Sequence, residues 1–114
     1  MVKRTAANLQ NSAQYIDILG SKIHYLEAGA GDPILFLHGI PTSSYVWRNT
    51  IPRLAKIGRC IAPDLIGFGK SEKPDIEYSV FDHIRYLEKF IIELNLKNLK
   101  HFFVFLFIFK TVGG

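Results

Sequence analysis

Four consecutive apolar residues, Ile34-Leu35-Phe36-Leu37, lie between two chain-breaking stretches, Gly29-Ala30-Gly31-Asp32-Pro33 and His38-Gly39-Ile40-Pro41. An apolar run without alternation has no solvent side. It suits a strand buried on both faces, the condition of a parallel sheet covered on either side. A parallel neighbour requires a crossover, and the chain supplies one. Arg59-Cys60-Ile61-Ala62-Pro63 is the next strand candidate, and between the two lies the segment 45–57. There Val46, Ile51, Leu54 and Ala55 recur at roughly helical spacing, and Pro52 predicts a helix that starts near it. Strand, helix and strand within about 30 residues form a βαβ unit and place the chain in the α/β class.

Upstream, Tyr15–Leu19 and Lys22–Ala28 are β-prone and flank Gly20-Ser21, which reads as a hairpin across a two-residue turn. Downstream, residues 64–76 form a loop containing Gly67, Gly69 and Pro74. Ser79 stands three residues before Asp82 as an N-cap. Phe81, Ile84, Leu87, Phe90, Ile91 and Leu94 then predict an amphipathic helix, with Arg85, Glu88 and Lys89 on its other side. Asn95–Asn98 ends it. Residues 1–13 read as a flexible polar lead-in. Leu99–Phe109 is strand-like and holds five of the nine phenylalanines, so 100–114 is an atypical Phe-rich tail.

Composition narrows the function classes. With 114 residues, 48% of them hydrophobic and 21% charged, the chain forms at most one globular domain. Its 14 basic and 10 acidic residues leave a net charge of +4 without any run of five basic residues. A nucleic-acid partner is therefore not expected. The longest purely apolar run, Phe102–Phe109, is far shorter than the ~20 residues that span a bilayer. The polar stretch 5–14 does not read as a signal sequence, so a cytoplasmic protein without a membrane partner is expected. The single cysteine, Cys60, sits in an apolar strand as a small hydrophobe. His24, His83 and His101 fall on different elements, and no metal site is expected from them.

The segment with most chemistry is His38-Gly39-Ile40-Pro41, directly after the buried strand. Ligands of α/β sheets bind beyond the carboxyl ends of the strands, and a sharp turn there aims backbone N–H groups at a developing oxyanion. By itself the same turn is more often a simple structural one. Asp64 ends the second strand and reads as a carboxylate that organises its loop through backbone N–H groups near Gly67 and Gly69. Ser71 reads as a helix or loop cap, Trp47 as a packing anchor, Arg48 as a structural cation and His38 as a shaper of its turn.

The context of the turn is more specific. Pro41-Thr42-Ser43-Ser44-Tyr45-Val46-Trp47-Arg48-Asn49 follows at once. Ala62-Pro63-Asp64-Leu65-Ile66-Gly67-Phe68-Gly69-Lys70-Ser71 comes next, then Lys73-Pro74 and Asp82-His83-Ile84-Arg85-Tyr86-Leu87. In this order and spacing they resemble the N-terminal part of the α/β-hydrolases, most closely the haloalkane dehalogenases. The likeness runs from about Tyr15 to about Leu99. It implies that residues 1–114 are a partial α/β-hydrolase domain, the N-terminal half of the sheet, acting without metal or organic cofactor on a small-molecule substrate. It also implies that His38, Gly39, Ile40 and Pro41 form an oxyanion-hole and substrate loop. In this family an Asp nucleophile displaces halide to form an alkyl ester, and a His-activated water hydrolyses the ester.

Two departures stand out. Ile40 occupies the position where many dehalogenases carry Asn, and it has no side-chain donor for halide. This weakens the dehalogenase reading relative to that of a general α/β-hydrolase; the haloalkane dehalogenase type remains the first reading, with epoxide hydrolase or another α/β-hydrolase the alternative. Moreover, no Ser, Asp or Cys occurs after Asp82, so nucleophile, acid and catalytic His are not found at their expected places. No catalytic residue is identified, and the chain as given is expected to be a catalytically incomplete fragment. A non-enzymatic binding module is a further alternative. The Phe-rich tail reads as a central fifth strand, as a membrane contact, or as a non-native end produced by a shifted reading frame. The last accounts for most of these features. In each case an uncharged aromatic run is an aggregation hazard when unpaired.

Overall fold

The computed structural model describes residues 13–99 and 101–104. The lead-in expected over 1–13 therefore falls, apart from Ala13, outside the described residues, as do 100 and 105–114 of the tail. Strand β1 (Ala13–Ile18) turns into β2 (Ser21–Ala28) with Ile18 opposite Ser21. The two turn residues are thus Leu19-Gly20, not Gly20-Ser21 as expected. Both have positive φ, 51° and 85°, the backbone that matches a tight turn to the twist of a hairpin. Strand β3 (Pro33–Leu37) leads through a 3₁₀ turn (Ser44–Trp47) and a one-turn helix α1 (Ile51–Leu54) to β4 (Arg59–Pro63). Pro52 lies in the first turn of α1, where its missing N–H costs nothing. After a long loop come α2 (Val80–Glu93) and β5 (His101–Val104).

The described strands form one mixed sheet in the order β1-β2-β4-β3-β5. β3 runs parallel to both β4 and β5, whereas β2 is antiparallel to β1 and β4. The expected βαβ unit is present, and β3 and β4 are buried on both faces. Leu35 and Ile61 face α2 together with Ile23, Tyr25, Tyr86 and Phe90. Ile34, Phe36, Cys60 and Ala62 face the other way, against Ile51, Trp47 and Leu54. Burial pushes the Cys60 thiol up to about 11, which keeps it protonated and inert.

Helix α2 starts on a complete capping box. Asp82 N–H donates to Ser79 Oγ, and Ser79 N–H donates to the Asp82 carboxylate, both at 3.1 Å. Its buried line differs from the expected one. Phe90 and Tyr86 are buried, and Phe90 meets Tyr25 edge-on at 5.3 Å. Phe81 is 80% exposed and Ile84 49%. At about 100° per residue, Phe81 lies on the far side of the helix from Phe90. Strand β5 also differs from the fully buried fifth strand of one reading. Among the described residues it is an edge strand, with Phe102, Phe103 and Val104 all exposed.

Candidate functional site

The carboxyl ends of β3 and β4 are joined by side chains, and Asp64 is their hub. Its Oδ1 accepts the Ser44 N–H at 2.7 Å, and its Oδ2 accepts the Lys70 N–H and a His24 Nδ1 contact, both at 2.8 Å. The expectation of a loop-organising carboxylate is met beside Gly69, through the adjacent Lys70 N–H, but not at Gly67. Gly67 N–H goes instead to the Glu72 carbonyl. Gly69 is required next to it, because a Cβ there would stand 2.4 Å from Asp64 Oδ2 and φ is +56°. Burial alone would raise the Asp64 pKa. The hydrogen bonds from His24, Lys70 and Ser44 outweigh it and bring the value to about 2. Ser71 is not a helix cap. Its buried hydroxyl accepts the His24 N–H at 3.0 Å and donates to the Asp64 carbonyl at 2.6 Å, pinning β2 to the loop.

His38 is 3% exposed, and both ring nitrogens are engaged. Its Nε2 lies 2.9 Å from the Leu65 backbone nitrogen, whose N–H donates to it. An imidazole nitrogen that accepts carries no proton, so Nδ1 bears the hydrogen and donates to the Gly39 carbonyl at 2.8 Å. Burial lowers the His38 pKa, with opposition from the Gly39 carbonyl and Asp64. A neutral ring with its one lone pair already used is not a general base. It is a strut between the two strand ends. The Gly39 carbonyl also accepts from the Thr42 N–H (2.9 Å) and the Thr42 hydroxyl, closing a turn across a cis Ile40–Pro41 bond. Ile40 sits at the tip, 38% exposed, and its N–H finds no acceptor among the described residues.

Other single residues fall where expected. Trp47 packs edge-on against Phe36 at 5.2 Å, and Arg48 stacks over the Tyr45 ring at 4.0 Å while donating to the Tyr45 carbonyl. Sequence reasoning missed two groupings. One is the buried His24–Asp64 pair. The other is a run of rings in which Phe68 meets His38 (6.0 Å) and His83 (5.9 Å), and His83 meets Tyr78 (6.3 Å). Among the described residues no three His, Cys, Asp or Glu side chains cluster as metal ligands, and no helix is long and apolar enough to cross a membrane.

Residues 32–105 match the family model described as the alpha/beta hydrolase fold. The chain belongs to the alpha/beta hydrolase fold family. A haloalkane dehalogenase of Mesorhizobium japonicum is 59% identical over 85 residues, which make up 74% of this chain and 28% of that protein. One of Bradyrhizobium diazoefficiens is 59% identical over 76 residues, 65% of this chain and 24% of the relative. The crystal structure of a haloalkane dehalogenase from Bradyrhizobium elkani superposes with a TM-score of 0.75 at 47% identity, covering 83% of this chain and 32% of that one. The chain thus spans about a quarter to a third of the length of these relatives.

Proposed function

We propose that this chain carries the substrate loop of a haloalkane dehalogenase-type hydrolase, His38-Gly39-Ile40-Pro41, acting on a small haloalkane. The observation that carries the reading is the strut at the end of β3. His38 ties its loop to Leu65, and the Ile40 N–H is left without an acceptor among the described residues. A donor held at the carboxyl end of a parallel strand is suited to a developing negative charge. In the chemistry implied by the resemblance, an Asp nucleophile and a His-activated water come from residues that this sequence does not supply. The loop contributes charge stabilisation only. Ile40 favours a second reading, an epoxide hydrolase or another α/β-hydrolase, because its side chain offers halide no hydrogen bond.

The test is a graft in which this chain's matching residues replace the aligned 85 residues of the Mesorhizobium japonicum relative. The graft is expected to release bromide from 1-bromobutane, and the 114-residue chain alone to release none above background. A folded graft that opens an epoxide but releases no bromide favours the second reading. A folded graft inert toward bromoalkane, epoxide and activated ester overturns both.

A further inference from the structure

One peptide unit in the loop, Gly39–Ile40, is held at its oxygen and open at its nitrogen. The Gly39 carbonyl accepts the Thr42 N–H at 2.9 Å, the Thr42 hydroxyl, and the His38 Nδ1–H at 2.8 Å. Thr42 Oγ1 also stands 3.4 Å from His38 Nδ1, so the three groups form one cluster on that side of the turn. A carbonyl has two lone pairs, which the backbone N–H and the ring N–H already fill. The Thr42 hydroxyl is therefore not needed to satisfy the oxygen, and its effect lies in orientation.

A peptide unit is planar, and in the trans form its C=O and N–H point in opposite directions. The Gly39–Ile40 bond is trans. Holding the Gly39 oxygen toward His38 and Thr42 therefore turns the Ile40 N–H the other way, out of the cluster. Gly39 makes such a hold necessary. Without a Cβ it resists little when the following peptide flips, and a flip would exchange the two groups. Hydrogen bonds accepted at the oxygen also polarise the peptide and strengthen its N–H as a donor. We propose that Thr42 is a positioning residue for the Ile40 N–H, its hydroxyl locking the Gly39 carbonyl so that the other edge of the same peptide stays open to a developing anion. The role rests on the hydrolase reading of the loop. It differs from that of His38, which ties the loop to Leu65, because Thr42 acts within the turn.

The test compares two substitutions. Thr42→Val keeps the branched shape and removes the hydroxyl, and the Gly39 oxygen keeps two donors, so no polar group is orphaned. Thr42→Ser keeps the hydroxyl and removes the methyl. In the graft, Thr42→Val should lower kcat for bromide release about fivefold, the ratio of one ordinary hydrogen bond, with KM unchanged. Thr42→Ser should retain the unmodified rate. In the 114-residue chain the Ile40 amide resonance should move in Thr42→Val and stay in place in Thr42→Ser. Thr42→Ala, which also lacks the hydroxyl, takes the place of Thr42→Val if the latter does not fold. An unchanged kcat in Thr42→Val, a loss that appears in KM instead, or a Thr42→Ser as slow as Thr42→Val would each overturn the assignment and leave the hydrolase reading standing. A folded graft that is inert with Thr42 in place is the failure of that reading. The amide resonance then decides the positioning role by itself, and an unmoved Ile40 signal in Thr42→Val would overturn it.

Discussion

Asp64 and His38 make the molecule sensitive to acid in two separate windows. The folded-state pKa of Asp64 is about 2 against an ordinary 3.8, so its contribution is complete above pH 4 and is lost as pH falls from 4 to 2. That contribution is about 2 kcal/mol. The His38 pKa is lowered below its ordinary 6.5, so the unfolded chain takes up a proton first and stability falls as pH drops below about 6.5. Protonation at Nε2 would also set two N–H groups against each other, that of the ring and that of Leu65. Urea midpoints measured from pH 7 to pH 2 should therefore fall in two steps, and a flat profile above pH 4 would contradict the neutral strut. Asp64→Asn turns an NH₂ toward backbone donors and should cost about 2–4 kcal/mol in the same assay. In the graft, Ile40→Asn places a donor where halide charge develops, and it should raise bromide release up to a hundredfold over ester hydrolysis. Equal changes in both rates would mean that position 40 does not face the leaving group. The role of Asp64 was legible from its place after a buried strand with glycines behind it. Its pairing with His24 was not, because 40 residues separate them and only the register of β2 on β4 brings them together.

Local signals placed the elements well wherever local chemistry decides them. The unbroken apolar runs at 34–37 and 60–62, Pro52 and the Ser79–Asp82 box each act within one turn or one strand, and each is where it was expected. Ser79→Ala should lower stability by about 1 kcal/mol, with loss of helical signal confined to the start of α2. A larger, global loss would show that α2 is held by its first turn and not by Phe90 and Tyr86. The face of α2 was misjudged because Phe81 and Ile84 keep the helical spacing but lie off the line that meets the sheet. Spacing identifies an apolar stripe, whereas neighbouring elements decide which part of it is covered. The hairpin turn was misplaced by one residue for a similar reason. Leu19 adopts positive φ, which nothing in its side chain announces.

The described sheet has a finished edge and an open one. β1 carries Asp17, paired with Lys22 at 3.1 Å, whereas β5 presents Phe102, Phe103 and Val104 without a charge among them. Uncharged apolar edges invite further pairing, so the β5 side is where additional sheet would be accommodated. The relatives are three to four times longer than the stretch they share with this chain. On the proposed function, this chain's part in such an activity is one loop, and that loop is held by His38. The most direct measurement is the rate of bromide release from 1-bromobutane by the graft with and without His38→Ala, at matched folded fraction. The strut positions the Ile40 N–H, so its loss should lower kcat by about 10²–10³, the effect of removing one oxyanion donor. The pH profile of the residual rate should be unshifted, because His38 carries no catalytic proton. A folded His38→Ala graft that releases bromide at the unmodified rate would contradict the account.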